Sequence, residues 1–185
     1  QVAPTSPAGL YAAYQMGRLE LHAGRLQDAV QRFEWLTHQA DPALAVDARV
    51  ALAFAYLSNA QLEEARTELE RIRLHGAEGP QRDRAGYYLA LIALQEGHLD
   101  EAQRLCEEVI RRIPKSEEAL EARLLLADIT ASRFSPREAL SLLSDAVAGL
   151  PALGGRHRGK LAKKMADFAR QSGMSAQAIH WYEIA

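Results

Sequence analysis

The sequence of 185 residues has a single cysteine, almost no net charge and no long apolar run. One cysteine, Cys106, cannot form an internal disulfide, which excludes a disulfide-stabilised scaffold. The formal charge of −2 lacks the basic excess that a general nucleic-acid binder needs. The longest apolar run, Val50 to Leu57, is far shorter than the roughly 20 residues that cross a bilayer.

Strand-forming residues are also scarce. Val, Ile and Thr together number 17, against 34 alanines and 26 leucines. Branched side chains favour strands, whereas Ala and Leu are among the strongest helix formers. Because hydrophobic residues (48%) and charged residues (25%) are in the ordinary range for a globular chain, the composition predicts an all-α globular fold.

An alanine recurs at nearly constant spacing in five similar segments. The intervals between successive copies are 36, 37, 37 and 39 residues, and the aligned positions are Ala29, Ala65, Ala102, Ala139 and Ala178. Four residues later comes a large or apolar residue, which is Phe33, Leu69, Cys106, Leu143 or Tyr182. Positions i and i+4 lie on one face of a helix, so each segment predicts an amphipathic helix.

A second amphipathic segment precedes each aligned alanine and contains a small residue, which is Gly17, Ala53, Ala90, Ala127 or Ala166. Prolines or glycines interrupt the chain between these pairs of segments. Every unit therefore predicts helix, short turn, helix. We expect a single repeat domain over residues 1–185, with units at about 8–41, 42–79, 80–115, 116–153 and 154–185.

The predicted turns contain residues typical of helix ends. Ser135 to Glu138 reads as a capping box with Pro at the first helical position. We expect further N-caps at Ser6, Asp41, Ser116 and Ser175. Gly24, Gly97 and Gly173 stand where the first helix of a unit should end, since glycine tolerates the left-handed conformation found there.

These units resemble the tetratricopeptide repeat. The third unit is the best match to the family signature, through Leu89, Ala90, Gly97, Ala102, Val109 and Pro114. The resemblance implies an all-α, right-handed superhelical solenoid of about ten antiparallel helices. The units are longer than the family's usual length of about 34 residues. In this they are similar to repeats of bacterial envelope proteins, which favours the periplasm over the cytoplasm without deciding between them.

The resemblance also implies a concave groove that is lined by the first helix of each unit and binds a peptide. Carried over unit by unit, the partner-binding positions are Tyr11, Tyr14, Arg18, Phe54, Arg84, Tyr87, Tyr88, Leu91, Asp128, Lys160, Lys163 and Lys164; further groove positions are Val50, Leu57, Leu124, Leu125 and Asp167. This groove would be apolar and aromatic in its N-terminal and central part and basic at its C-terminal end. An apolar or aromatic peptide with acidic residues at one end would fit. Alternatively, the aromatic side chains fill the groove themselves.

The one cluster of like charge is basic. Five of the nine residues from Arg156 to Lys164 are Arg or Lys. One interpretation is a flexible loop that runs into a solvated helix face. The other is a site for an acidic peptide, an anionic glycan or a membrane headgroup, because such a cluster creates a local positive field.

Catalytic and metal-binding patterns are not found in the sequence. The six histidines are scattered, and no pair has the i, i+4 spacing of zinc ligands. We find no phosphate-binding glycine loop and no nucleophile elbow, and we interpret Cys106 as a core residue. We therefore predict a protein that is not an enzyme and needs no cofactor or metal.

The leading hypothesis is a scaffold that binds a peptide or protein partner. The alternative is a structural or oligomerisation segment of a larger bacterial envelope or exopolysaccharide secretion assembly. RNA binding by a related helical repeat is disfavoured by the net charge. The last unit ends at Ala185 without a polar capping helix, so we expect either a fragment of a longer protein or self-association through the C-terminal end. In the second case Trp181, Tyr182 and Ile184 would form an open edge; otherwise Tyr182 packs on Met165, Ala166 and Phe168.

Overall fold

The computed structural model describes residues 5–39, 41–75, 79–147 and 154–185. These residues contain no strand and form ten helices, namely α1 (Pro7–His22), α2 (Leu26–Gln39), α3 (Pro42–Ser58), α4 (Leu62–His75), α5 (Pro80–Gln95), α6 (Leu99–Arg112), α7 (Glu117–Arg133), α8 (Pro136–Val147), α9 (Gly155–Gln171) and α10 (Ser175–Ile184). The predicted all-α fold is confirmed. The bounds of the ten helices agree with five pairs of helices, each pair joined by a short turn.

The chain divides into two compact units, Gln1–Ile92 and Ala93–Ala185, and the boundary falls within α5. In the first unit α2 packs against α1 and α3, and α3 packs against α4. In the second unit α7 packs against α6 and α8, and α9 packs against α8 and α10. Within each unit these consecutive helices are therefore neighbours in space, as in stacked hairpins.

The aligned alanines lie where the two helices of each pair meet. Four of the five are fully buried, and Ala178 is 5% exposed. The residues four positions later are also fully buried in the first four units, as Phe33, Leu69, Cys106 and Leu143. Alanine and its i+4 neighbour therefore form the repeating contact of the core, as the spacing predicts.

The fifth unit departs from this pattern, because the side chain of Tyr182 is 43% exposed. Its hydroxyl donates a hydrogen bond to Asp167 Oδ1 at 2.6 Å, at the surface of α9. Trp181 packs against the core of the second unit instead. The expectation that Tyr182 is a packed core residue is therefore wrong, since no described helix covers the outer face of α10.

The predicted caps are confirmed at four helices and are wrong at one. Ser6 Oγ, Asp41 Oδ1 and Ser116 Oγ each accept backbone N–H groups of the first turn at 3.0–3.1 Å. In the capping box, Ser135 Oγ accepts the Glu138 N–H at 3.2 Å and donates to its carboxylate. Ser175 is instead the first residue of α10, whose N-cap is Met174 and has no side-chain cap.

The turns inside the first, second, third and fifth units use a left-handed residue, whereas in the fourth unit Phe134 ends α7 with φ = −126°. The φ angles of Gly24, Gly97 and Gly173 are 73°, 79° and 74°. The second unit places Ala60 at the same point with φ = 58°, a conformation that is costly for a residue with a Cβ atom. The second unit thus keeps the left-handed turn although it has no glycine there.

The closest approach in the first hairpin is between Gly17 on α1 and Phe33 on α2. A Cβ atom added at Gly17 would lie 2.7 Å from Phe33 Cζ and 2.8 Å from Phe33 Cε1. At the aligned positions of the second and fourth units the sequence has an alanine with a side chain smaller than phenylalanine, namely Ala53 with Leu69 and Ala127 with Leu143. Glycine in the first unit therefore compensates for the larger partner.

We expect the substitution Gly17→Ala to destabilise the protein by about 1–3 kcal/mol, because the added methyl group overpacks against the buried Phe33 ring. Helix propensity alone predicts the opposite sign, a gain of about 1 kcal/mol. The measurement is urea-induced unfolding followed by circular dichroism. In the Phe33→Leu background the same substitution should become neutral or stabilising. A rise in stability on Gly17→Ala in the otherwise native chain would contradict this packing.

Candidate functional site

An open groove with a volume of about 590 Å³ runs along the first unit. It is formed mainly by the first helices of three repeats, with α3 between α1 and α5, because α1 packs on α3 and Phe54 of α3 contacts Tyr88 of α5. Its lining residues are Tyr14, Arg18, Leu21, His22, Leu26, Val50, Ala51, Phe54, Ser58, Arg84 and Tyr88. We call this the N-terminal groove.

Aromatic side chains line the N-terminal groove without filling it. The Phe54 and Tyr88 ring centroids are 5.7 Å apart, and Tyr87 lies 5.5 Å beyond Tyr88. Tyr14 contacts the buried Phe33 edge-on, with 5.8 Å between centroids. Because Phe54 remains 43% exposed, the aromatic row offers an accessible apolar surface.

Among the described lining residues of the N-terminal groove, the charged side chains are two arginines. Arg18 and His22 lie one turn apart on α1, and Arg84 lies on α5. None of the described lining residues is Asp or Glu. Burial, and to a smaller extent the nearby Asp47 carboxylate, raises the pKa of Tyr14. Arg18 and Arg84 act in the opposite direction, so the charges of both arginines reach the Tyr14 hydroxyl.

Polar contacts outside the groove position the helices that form it. Arg32 on α2 donates two hydrogen bonds to the buried Glu20 of α1, at 2.8 and 2.6 Å. These hydrogen bonds hold the pKa of Glu20 below its usual value, against the effect of burial. On α3, Tyr56 donates to Glu34 at 2.5 Å and Arg49 pairs with Glu68 at 2.8 Å. These contacts hold α1 and α3 in place through residues that do not line the groove.

The structure brings together six of the residues that the resemblance placed in a groove, namely Tyr14, Arg18, Val50, Phe54, Arg84 and Tyr88. Tyr11 is 58% exposed, and it lies outside this lining, as do Tyr87 and Leu91. The sequence reasoning missed Leu21, His22, Leu26, Ala51 and Ser58. Helical spacing could have identified His22 and Ser58, four residues after Arg18 and Phe54, whereas Leu26 reaches the groove from the start of α2.

In the second unit most of the predicted basic residues are paired with carboxylates of α7. Lys160 pairs with Glu121, and Lys164 Nζ lies 2.8 and 2.9 Å from the two oxygens of Asp128. Lys163 is exposed. Leu124 and Leu125, also expected to line a groove, are buried. The carboxylates of α7 therefore reduce the positive field that was expected around the lysines of α9.

The segment from Arg156 to Lys164 is helical, because α9 begins at Gly155. Gly154 is its N-cap, and the carbonyl oxygen of Gly154 accepts the N–H groups of His157 and Arg158 at 3.0 and 3.1 Å. The expectation of a flexible loop at 156–160 is therefore wrong. These positions lie on the first turns of a helix.

Chemistry beyond binding has little support in the part of the chain that the structure describes. Its His, Cys, Asp and Glu residues form no group of three that could hold a metal ion. None of its helices combines the length and apolarity of a membrane span. Burial, and to a smaller extent Glu107, raises the pKa of Cys106 to about 12, which keeps this thiol protonated and unreactive.

Residues 20–81 match the family model of the tetratricopeptide repeat. Within these residues the chain carries the tetratricopeptide repeat pattern, which confirms the predicted resemblance. The match covers α2, α3 and α4, together with the end of α1 and the start of α5. None of the curated proteins compared with this sequence matches it.

Solved structures of tetratricopeptide repeat proteins have a similar fold along nearly the whole chain. A kinesin light chain-like protein from Podosopora anserina with nearly identical TPR-like repeats has a TM-score of 0.72 at 23% identity, over 96% of this chain and 93% of that one. BtubC (BKLC) from P. vanneervenii has a TM-score of 0.78 at 16% identity, and the match covers 96% of this chain and 78% of that one. PilF from Pseudomonas aeruginosa has a TM-score of 0.74 at 17% identity, and the match covers 95% of this chain and 74% of that one. At these identities the similarity shows the fold alone.

Proposed function

We propose that this chain is a non-enzymatic scaffold that binds a segment of a protein partner in its N-terminal groove. Tetratricopeptide repeat proteins are generally scaffolds for protein–protein interactions. The observation that supports this site is an open groove of about 590 Å³ in which exposed aromatic surface lies beside arginines.

The residue types of the N-terminal groove are those that dominate binding energy at protein interfaces. Tyr, Trp and Arg are enriched among interface hot spots, because they combine a large apolar area with a polar end. Tyr14, Tyr88 and Phe54 supply the apolar area, and Arg18 and Arg84 supply directional donors. A bound segment would gain most from an apolar side chain placed on Phe54, which already has partial cover from Tyr88.

The test is selection of a random peptide library, displayed on phage, against the purified chain. We expect the selected peptides to bind at least about tenfold more weakly to Phe54→Ala, because an interface anchor is lost. The readout is fluorescence anisotropy of labelled copies of these peptides.

Phe134→Ala is the matched control, since Phe134 is 65% exposed in a turn of the second unit and does not line the N-terminal groove. It should bind the selected peptides like the native chain. Circular dichroism of both variants checks that the fold is intact. Equal affinity of the native and Phe54→Ala chains would contradict the proposed site.

A second candidate function is self-association within a larger assembly, which the surface of α10 favours. Ile179 and Tyr182 lie one turn apart on this helix with exposures of 60% and 43%, and Ile184 is 36% exposed. Apolar groups grouped on one helix face are typical of interaction surfaces. The larger assembly would be of the envelope or exopolysaccharide secretion type.

Sedimentation velocity over a range of protein concentrations tests this candidate. If α10 mediates association, the sedimentation coefficient should rise with concentration, and Ile179→Asp should abolish the rise because a charge would be buried in the contact. Leu74→Asp, on a residue of α4 that is 77% exposed, is the control and should still associate. A monomer at all concentrations would contradict the candidate.

A further inference from the structure

We infer that an exposed face of α1 is a docking site for α10 of a second copy of this chain, so that copies associate head to tail. We call the face formed by Ala8, Ala12, Met16 and Leu19 the α1 outer face. The inference rests on the second candidate function, self-association through α10, because it names the surface that receives that helix. It is independent of peptide binding in the N-terminal groove, whose lining includes none of these four residues.

The α1 outer face is apolar and exposed. Its residues follow one another at intervals of four, four and three, which places them on one side of the helix. Met16 is 50% exposed, Leu19 is 65% exposed, and both alanines are exposed as well. A continuous apolar stripe of this kind is typical of a helix face that packs against another helix.

The corresponding positions are buried in later first helices. Counted from Gly17, the positions of Ala12, Met16 and Leu19 are five residues before, one residue before and two residues after. In α3, α7 and α9 the residues at these positions are 0–8% exposed, namely Ala48, Leu52, Ala55, Ala122, Leu126, Ile129, Leu161, Met165 and Phe168. Each of these three helices packs against the helix that precedes it. Because α1 already has α2 and α3 as neighbours, the cover that its outer face lacks is that of a preceding helix.

The outer face of α10 lacks the opposite neighbour. Ile179 and Tyr182 stand one and four residues after the aligned Ala178 and are 60% and 43% exposed. In α2 and α8, which pack against the first helix that follows them, the same positions are at most 9% exposed, as Val30, Phe33, Leu140 and Leu143. α10 therefore presents the surface of a second helix that no described first helix covers.

The contact between α8 and α9 shows the completed form of this interface. Leu140 and Leu143 of α8 lie in one buried cluster with Leu161, Met165 and Phe168 of α9. By register, the exposed residues of α10 correspond to the first two, and those of α1 correspond to the last three. The chain thus has both halves of a contact that it already makes within its second unit.

Side-chain sizes on the two exposed faces suit the same arrangement. Tyr182 is larger than the leucine at its place in α8, and Ala12 is smaller than the leucine at its place in α9. Consecutive helices of the solenoid run antiparallel, so a late position on one meets an early position on the next. Ala12 therefore makes room for the larger Tyr182 ring. The Tyr182 hydroxyl already donates to Asp167, so covering the ring leaves no unpaired polar group there.

A second copy is the occupant that supplies this helix in the right register. Pairing two α1 outer faces, or two α10 faces, would have no counterpart among the contacts between consecutive helices of the chain. A contact between unlike faces also leaves one face of each kind free in every complex. Further copies can therefore add, and association continues beyond a pair.

The test is sedimentation velocity of two single variants, alone and mixed. Leu19→Asp blocks the α1 outer face and Ile179→Asp blocks α10, since each places a charge in a contact that excludes water. We expect the sedimentation coefficient of the native chain to rise between about 1 μM and about 1 mM, and each variant alone to stay monomeric. An equal mixture of the two should form pairs and nothing larger, because one variant keeps a free α10 and the other a free α1 outer face.

Two further variants serve as controls. Leu74→Asp places the same charge on another exposed leucine, on α4, and should associate like the native chain. Met16→Asp changes a different residue of the α1 outer face and should repeat the result of Leu19→Asp, including pair formation with the Ile179→Asp chain. Circular dichroism checks that every variant keeps the native helix content.

The outcomes separate this inference from the functions proposed above. If the Leu19→Asp chain associates by itself, α10 binds another α10, so the second candidate function holds and the inference is wrong. If the Ile179→Asp chain associates by itself, or the native chain stays monomeric throughout, both are wrong. The groove is decided separately by the Phe54→Ala measurement. Pairs that form only in the mixture support docking of α10 on the α1 outer face.

Discussion

The packing of Gly17 on α1 against Phe33 on α2 constrains the first hairpin. Even one methyl carbon added at Gly17 would come within 2.8 Å of the Phe33 ring. The corresponding positions of later units are buried as well, for example Ala53 and Leu69. Because this contact sets the distance and rotation of the two helices, it also decides which faces of the first helix remain for other uses.

The N-terminal groove is a consequence of that constraint. On α1, the face with Gly17 and Glu20 is committed to α2 through packing and the Arg32 ion pair. Tyr14, Arg18 and His22 lie on another face and are left to line the groove. The polar contacts that fix these helices, such as that of Arg32 with Glu20, therefore use residues other than those that line the groove.

The periodicity of alanine predicted the helices, their pairing and most of their caps, because those features depend on local spacing alone. It also allowed six residues that line the N-terminal groove to be predicted from the family pattern. It could not predict that Lys160 and Lys164 meet Glu121 and Asp128, since a pair across two helices depends on their relative rotation. The exposure of Tyr182 was missed for a related reason, as burial needs a covering neighbour as well as the right spacing.

The account depends most on the claim that a partner segment binds in the N-terminal groove. The most direct measurement is the aromatic region of the NMR spectrum during titration with a peptide selected from the phage library. The account predicts that the ring signals of Tyr14, Phe54 and Tyr88, which line the groove, shift, while those of the exposed Phe134 stay in place. Shifts confined to residues outside the groove, with Phe54 unchanged, would contradict it.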